Sequence, residues 1–138
     1  MFKDAKGFSL LELLVVCSIV AILAGVAVPK IGQVMANARS ARIEADLTTL
    51  DTAIVMYQND TGKNPAQVSD LKGYLNDADK LEPPAGSCAM RDGKLEEIPA
   101  GTAYTLDYDG EKDAQGNKDT AGEWRAFCKG HKAGDFGR

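Results

Sequence analysis

Gly7-Phe8-Ser9-Leu10-Leu11-Glu12-Leu13-Leu14-Val15-Val16 opens an apolar run that continues to Val28 and meets Pro29. Glu12 is its only charged residue; Lys3 and Lys6 precede it. Phe8 to Val28 is 21 residues, and a helix crossing ~30 Å of hydrocarbon needs roughly 20. A buried helix of a water-soluble domain usually keeps a polar face, and this run has none. A secretory signal would have a shorter core and a small-residue cleavage site after it. Here Pro29-Lys30-Ile31 follows, so the segment is expected to remain in the mature protein. Lys3 and Lys6 stay cytoplasmic by the positive-inside bias, which exports the C-terminal part.

Glu12 is the anomaly. A carboxylate at this depth costs on the order of a few kcal/mol unless it is paired. It can sit near the interface and protonate or snorkel, or it can meet a positive charge. The run contains no base, but a cut between Gly7 and Phe8 would create an α-amino group close to Glu12. Among parallel helices, that amine on one copy could pair with Glu12 of a neighbour.

Gly7-Phe8-Ser9-Leu10-Leu11-Glu12-Leu13 resembles the prepilin processing site of type IV pilins and of type II secretion pseudopilins. That site has a glycine, then an aromatic residue, a glutamate fifth in the mature chain, and an unbroken apolar run, all of which are matched over Lys6 to Pro29. The resemblance implies cleavage after Gly7 by an inner-membrane prepilin peptidase and N-methylation of Phe8. It also implies a filament core of packed helices, with Glu12 answering a neighbour's N-terminus.

Beyond Pro29, Ala36, Ile43, Leu50 and Tyr57 recur every seven residues, with Leu47 and Ile54 between them at helical spacing. The pattern predicts one helix of about 50 residues from Phe8 to about Asp60, its first half in lipid and its second half packed on a small domain. Gly25 and Pro29 are weak helix residues, because glycine is loose and proline removes a hydrogen bond. They mark either a mild kink or a segment that bends or unwinds when subunits join a filament. Gly62 suits a left-handed helix stop. Asn64-Pro65-Ala66-Gln67 reads as a capping box opening a short helix to about Asn76, with Val68, Leu71 and Leu75 on one face. The string Tyr57, Asp60, Gly62, Pro65, Leu71, Leu75 is similar to the post-helix loop of major pseudopilins.

After Pro83-Pro84-Ala85-Gly86 the character changes to strand. Ser87 to Met90 and Lys94 to Ile98 flank Arg91-Asp92-Gly93, a hairpin turn. Thr102 to Tyr108 alternates with Tyr104, Leu106 and Tyr108 on one face, and Glu123 to Cys128 alternates through Trp124, Ala126 and Cys128. Three or four antiparallel strands on the exposed half of a long helix give an α+β domain, type IV pilin-like. The expected divisions are a leader at 1–7, a transmembrane and filament-core helix at 8–29, its exported amphipathic half at 30–61, and an α+β head at 62–138.

The chain has 138 residues and a formal charge of −4, which does not favour nucleic acid as a main partner. Cys17 lies in the apolar run. Cys88 and Cys128, in the exported part, fit one disulfide in an oxidising compartment, and resemble the C-terminal disulfide of many type IV pilins; two free buried thiols are the alternative. Asp107, Asp109, Glu111, Asp113, Asn117 and Asp119 crowd one segment. Hard oxygen ligands on a loop suit calcium, with Asp107, Asp109, Asp113 and Asp119 as candidate ligands, although the EF-hand spacing fails. Some major pseudopilins bind calcium near such a place; otherwise this is a solvated acidic loop. His131 has no placed nucleophile or acid beside it, and no hydrolase, phosphate-loop or zinc-protease motif occurs.

The sequence therefore reads as a structural, non-catalytic subunit of a filament assembled from the inner membrane. Its expected partners are itself, other pilin-like subunits, the prepilin peptidase and the assembly machinery; calcium is the one cofactor considered. The cysteine pair favours a long pilus for adhesion, motility or DNA uptake. The post-helix loop and the Asp/Gly-rich segment before Trp124 favour a short pseudopilin filament that aids protein export. The pilus is the reading adopted, the pseudopilin its alternative. A non-polymerising anchored binding module is the alternative of another class.

Overall fold

The apolar stripe becomes one side of a single long helix. The computed structural model describes residues 7–110 and 122–137; the leader residues 1–6 lie outside the described residues. Helix α1 spans Leu10–Thr61, and its buried residues are Ala36, Ser40, Ile43, Leu47, Leu50, Ala53 and Ile54. That is the expected stripe with two additions, Ser40 and Ala53, while Tyr57 at its end is only half-buried. The helix ends where glycine permits it: Gly62 has φ +66°, and its N–H donates to Gln58 O at 2.8 Å.

The chain divides into two units, Met1–Val34 and Met35–Arg138. In the first, every described residue is exposed. The helix that passes through it contains a stretch long and apolar enough to cross a membrane.

In the second unit, the α1 stripe packs with the side chains that follow it in sequence. Ile43, Leu47, Leu50 and Ile54 share one core with Leu71, Cys88, Met90, Ile98, Tyr104, Ala126, Cys128 and Phe136. The short helix expected from Pro65 to about Asn76 is instead a 3-10 turn, Val68–Gly73, and a second, Ala78–Lys80, follows beyond it. The cap also moves. Asp70 Oδ2 accepts the N–H groups of Ala66 and Gln67 at 2.9 and 3.1 Å, so Pro65 precedes the turn and is buried. The carboxylate satisfies amides that a tight turn leaves unpaired.

The strands fall where alternation puts them: β1 Gly86–Ala89, β2 Leu95–Ile98, β3 Tyr104–Asp109 and β4 Glu123–Cys128. Their pairing differs from a single sheet. Among the described residues β1 pairs only with β2 and β3 only with β4, both antiparallel. The two hairpins are joined through their ends. Lys129 Nζ bonds Glu96 Oε1 at 2.5 Å and Glu97 O at 2.9 Å, and Met90 makes an isolated bridge to Phe136.

Candidate functional site

The N-terminal segment holds the residues that the sequence singles out. Gly7 and Phe8 precede α1 and are exposed, Phe8 at 83%. Leu13 N–H donates to Ser9 O at 3.1 Å, so the first helical turn closes on Ser9. Glu12 lies in that turn, where a carboxylate faces the positive end of the helix dipole. The same position lies one helical turn from Phe8, so a new amine at Phe8 and the Glu12 carboxylate would belong to one end of the segment. Ser18, unremarked in the sequence reading, donates to Leu14 O at 2.8 Å. A hydroxyl bonded back to its own helix can lie in lipid without an orphaned donor.

Gly25 and Pro29 act on one bond. α1 runs through Pro29 without interruption. Proline has no N–H to give the carbonyl four residues back, and its ring crowds that carbonyl; the carbonyl is that of Gly25. A Cβ added at Gly25 would meet nothing within 4 Å, so no contact within the chain demands glycine there.

In the second unit, Cys88 and Cys128 are both fully buried in the same core. They are free thiols in this structure. They stand on strands of separate ladders, and Cys88 Sγ donates weakly to Gly86 O at 3.6 Å. Burial pushes the Cys128 thiol up to about 11, with Cys88 adding to the effect; burial also raises the Cys88 thiol. Both are therefore protonated and inert at neutral pH.

The acidic segment is brought together only in part. Asp107 and Asp109 are on β3, whereas Asp113 and Asp119 lie outside the described residues. Asp107 Oδ1 accepts the Tyr108 N–H at 2.7 Å. Asp109 Oδ2 is bound by Lys132 Nζ at 2.8 Å and lies 3.5 Å from Arg125 Nε. Among the described residues no three His, Cys, Asp or Glu side chains converge on a point where a metal could sit. The Asp109 charge is already answered by two cations.

His131 lines an open hollow of about 420 Å³ with Met90, Arg91, Asp92, Gly134 and Asp135. Its Nδ1 is 3.9 Å from Asp135 Oδ2, and its ring meets Phe136 edge-on. The hollow holds charges but no hydroxyl or thiol for a base to activate.

Three polar residues on α1 escaped the sequence reading. Ser40 donates to Ala89 O at 2.7 Å. Asp46 Oδ2 accepts the Tyr104 hydroxyl at 2.8 Å. Asp51 Oδ1 accepts the Ala126 N–H at 2.7 Å. For Asp46 and Asp51, nearness to the apolar stripe at helical spacing was the available signal.

Comparison with known proteins agrees with this anatomy. A family model described as "Prokaryotic N-terminal methylation motif" matches residues 2–28. Type II secretion system core protein G of Escherichia coli (strain K12) is 31% identical over 112 residues, covering 79% of this chain and 76% of that protein. The protein of the same name from Klebsiella pneumoniae is 31% identical over 106 residues, 73% of each chain. That of Klebsiella michiganensis is 28% identical over 97 residues, covering 70% and 67%. No solved structure matches the chain. The N-terminal motif, one long helix carrying small antiparallel ladders, and identity over most of both lengths fit together: the chain belongs to the pseudopilin family of type II secretion system core protein G.

Proposed function

We propose that this chain is a structural subunit of the pseudopilin filament of a type II secretion system, assembled at the inner membrane. The observation that carries the reading is the segment from Phe8 to Val34, helical from Leu10, exposed throughout and mostly apolar, with Glu12 and Lys30 its only charged residues. A surface of that kind is stable only in lipid or against other helices. The names of the relatives move the balance from the pilus, adopted on the cysteine pair, to the pseudopilin.

The mechanism follows from the residues. The prepilin peptidase cuts after Gly7 and the new Phe8 amine is methylated, keeping its positive charge. The lysines of the leader no longer hold the N-terminus on the cytoplasmic side. In lipid, apolar helices gain little by meeting, since lipid tails are as apolar as leucine. Registry comes instead from charge: Glu12 of one subunit against the Phe8 amine of the next. Truncating one member of such a buried pair leaves the other uncompensated, which costs about 3–5 kcal/mol. The second unit is exported and forms the filament surface, where other pilin-like subunits and the assembly machinery meet it.

Electron microscopy of sheared surface material from cells overproducing wild type and Glu12→Ala tests this, with mass analysis of the N-terminus. Wild type is expected to give filaments of chains starting at methylated Phe8, and Glu12→Ala chains to be processed but poorly assembled. Normal filaments from the variant, or an intact Met1 in assembled wild type, would overturn the reading. Loss of export of a folded secreted protein on deletion separates the pseudopilin from the pilus.

A further inference from the structure

The end of the β3–β4 ladder crowds negative charge. Asp109 and Glu123 face each other as its last pair, and like charges directly opposite destabilise a ladder. Asp51 of α1 reaches the same place, its Oδ1 on the Ala126 N–H. Carboxylates gathered from three elements are a setting for a hard divalent cation. Among the described residues, however, no three acidic side chains close on a point where a metal could sit; these three surround a side-chain cation instead. Arg125 Nη2 lies 3.1 Å from Glu123 Oε2, its Nε 3.5 Å from Asp109 Oδ2 and its Nη1 3.8 Å from Asp51 Oδ2. One planar guanidinium thus faces all three, a fork that a point charge cannot offer. Lys132 Nζ supplies a second cation, 2.8 Å from Asp109 Oδ2. The backbone closes at the same place. Gly122 N–H donates to the Tyr108 hydroxyl at 3.0 Å, and a Cβ at Gly110 would stand 2.7 Å from Gly122 Cα, so residues 110 and 122 meet beside the Tyr108 ring.

We propose that Arg125, assisted by Lys132, is the resident cation of this carboxylate cluster and holds the ladder end in place of a bound calcium ion. The calcium set expected from the sequence, Asp107, Asp109, Asp113 and Asp119, then does not form around Asp109. Asp113 and Asp119 lie outside the described residues. Asp107 Oδ1 accepts the Tyr108 N–H, and Asp109 Oδ2 already faces two cations. A divalent ion at Asp109 would have to displace the Lys132 ammonium and stand against the Arg125 guanidinium, a like-charge contact. A cation tethered to the chain is not lost on dilution or chelation, so the second unit keeps its stability whatever the free calcium around it. The inference concerns that unit alone and stands whichever filament the chain builds.

The test melts the full chain in detergent micelles, followed by the fluorescence of Trp124, the chain's one tryptophan and the neighbour of Arg125. Wild type, Arg125→Gln and Lys132→Gln are each melted in EDTA, in millimolar calcium, and in sodium chloride of matched ionic strength. Wild type is expected to give one Tm in all three. Arg125→Gln is expected to melt about 4–8 °C lower in EDTA, and calcium, but not sodium, to return part of that loss. Lys132→Gln, which leaves Arg125 in place, should fall less and regain part of its smaller loss in calcium. A calcium-specific rise in the wild-type Tm overturns the proposal. So does an Arg125→Gln chain that melts with wild type, or one that folds but gains nothing from calcium. Equal melting of Lys132→Gln and wild type overturns the part assigned to Lys132. If Arg125→Gln folds in none of the three solutions, the wild-type and Lys132→Gln melts decide between the same outcomes.

Discussion

Asp51 on α1 accepts the backbone N–H of Ala126 in β4 at 2.7 Å, so a helix carboxylate holds the middle of a strand. Arg125 Nη1 lies 3.8 Å from its other oxygen. Asp51→Ala leaves the Ala126 amide without its acceptor, which costs about 1–3 kcal/mol. Denaturant unfolding of the chain in micelles, followed by near-ultraviolet signals of the second unit, measures the loss. Asn keeps an acceptor for Ala126, so Asp51→Asn should cost less than Asp51→Ala.

Asp51 also predicts a pH dependence. Burial raises its carboxyl above the ordinary aspartate value of 3.8, more than the Ala126 N–H and Arg125 lower it. The folded state then holds the proton to higher pH than the unfolded state does. Its contribution is present in acid and is lost as pH rises from about 4 through the folded value. Asn does not titrate. Relative to wild type, Asp51→Asn should therefore be least favourable near pH 3 and improve toward pH 7. A constant difference across that range would contradict the linkage.

Tyr104 carries the opposite end of the pH scale. Its hydroxyl donates to Asp46 from a nearly buried site, and burial, then that hydrogen bond, raise its ionisation well above the usual 10. The folded chain keeps the phenolic proton when the unfolded chain has lost it. The contribution is complete below pH 10 and fades as pH rises beyond it. Tyr104→Phe is expected to cost about 1–2 kcal/mol at pH 7, and the gap from wild type should narrow above pH 10. Unfolding curves at pH 7 and at several points above 10 give both numbers.

What the sequence makes legible is periodic. Ile43, Leu47, Leu50 and Ile54 announce themselves by spacing, and Tyr104 and Tyr108 by alternation. Glu12 stands out because one charge interrupts a lipid-length run. Asp46, Asp51 and Ser40 do not, since a polar residue on a helix reads as solvated until the strand opposite it is known. The split into two hairpins was equally hidden: alternation shows which face of a strand is buried but not which strand it pairs with. Asp70 capping a 3-10 turn was missed because Pro65 offered a stronger local signal for a helix start.

Leu47 measures the core directly. It is fully buried between α1 and the strands, so Leu47→Ala should cost about 2–5 kcal/mol through lost burial and a residual cavity. Leu95 on β2 is 63% exposed. Leu95→Ala should leave stability within about 0.5 kcal/mol. Equal losses at the two positions would mean that the α1 stripe is not the core of the second unit.

Pro29 makes a prediction about assembly rather than stability of the head. Because it cannot donate to Gly25 O, it weakens the helix at one turn, and replacing it by alanine should favour the helix there by about 3 kcal/mol. If the turn around Gly25 and Pro29 must loosen when a subunit enters the filament, a stiffer turn hinders entry. Pro29→Ala chains should still insert and be cut after Gly7, since neither step needs that turn. They are expected to give fewer sheared filaments than wild type at equal expression. Hydrogen exchange in micelles checks the cause: amides 30–33 should exchange more slowly in the variant, while amides 47–54 stay unchanged. Slower exchange with undiminished filaments would leave Pro29 as a mild kink tolerated at the end of the apolar run.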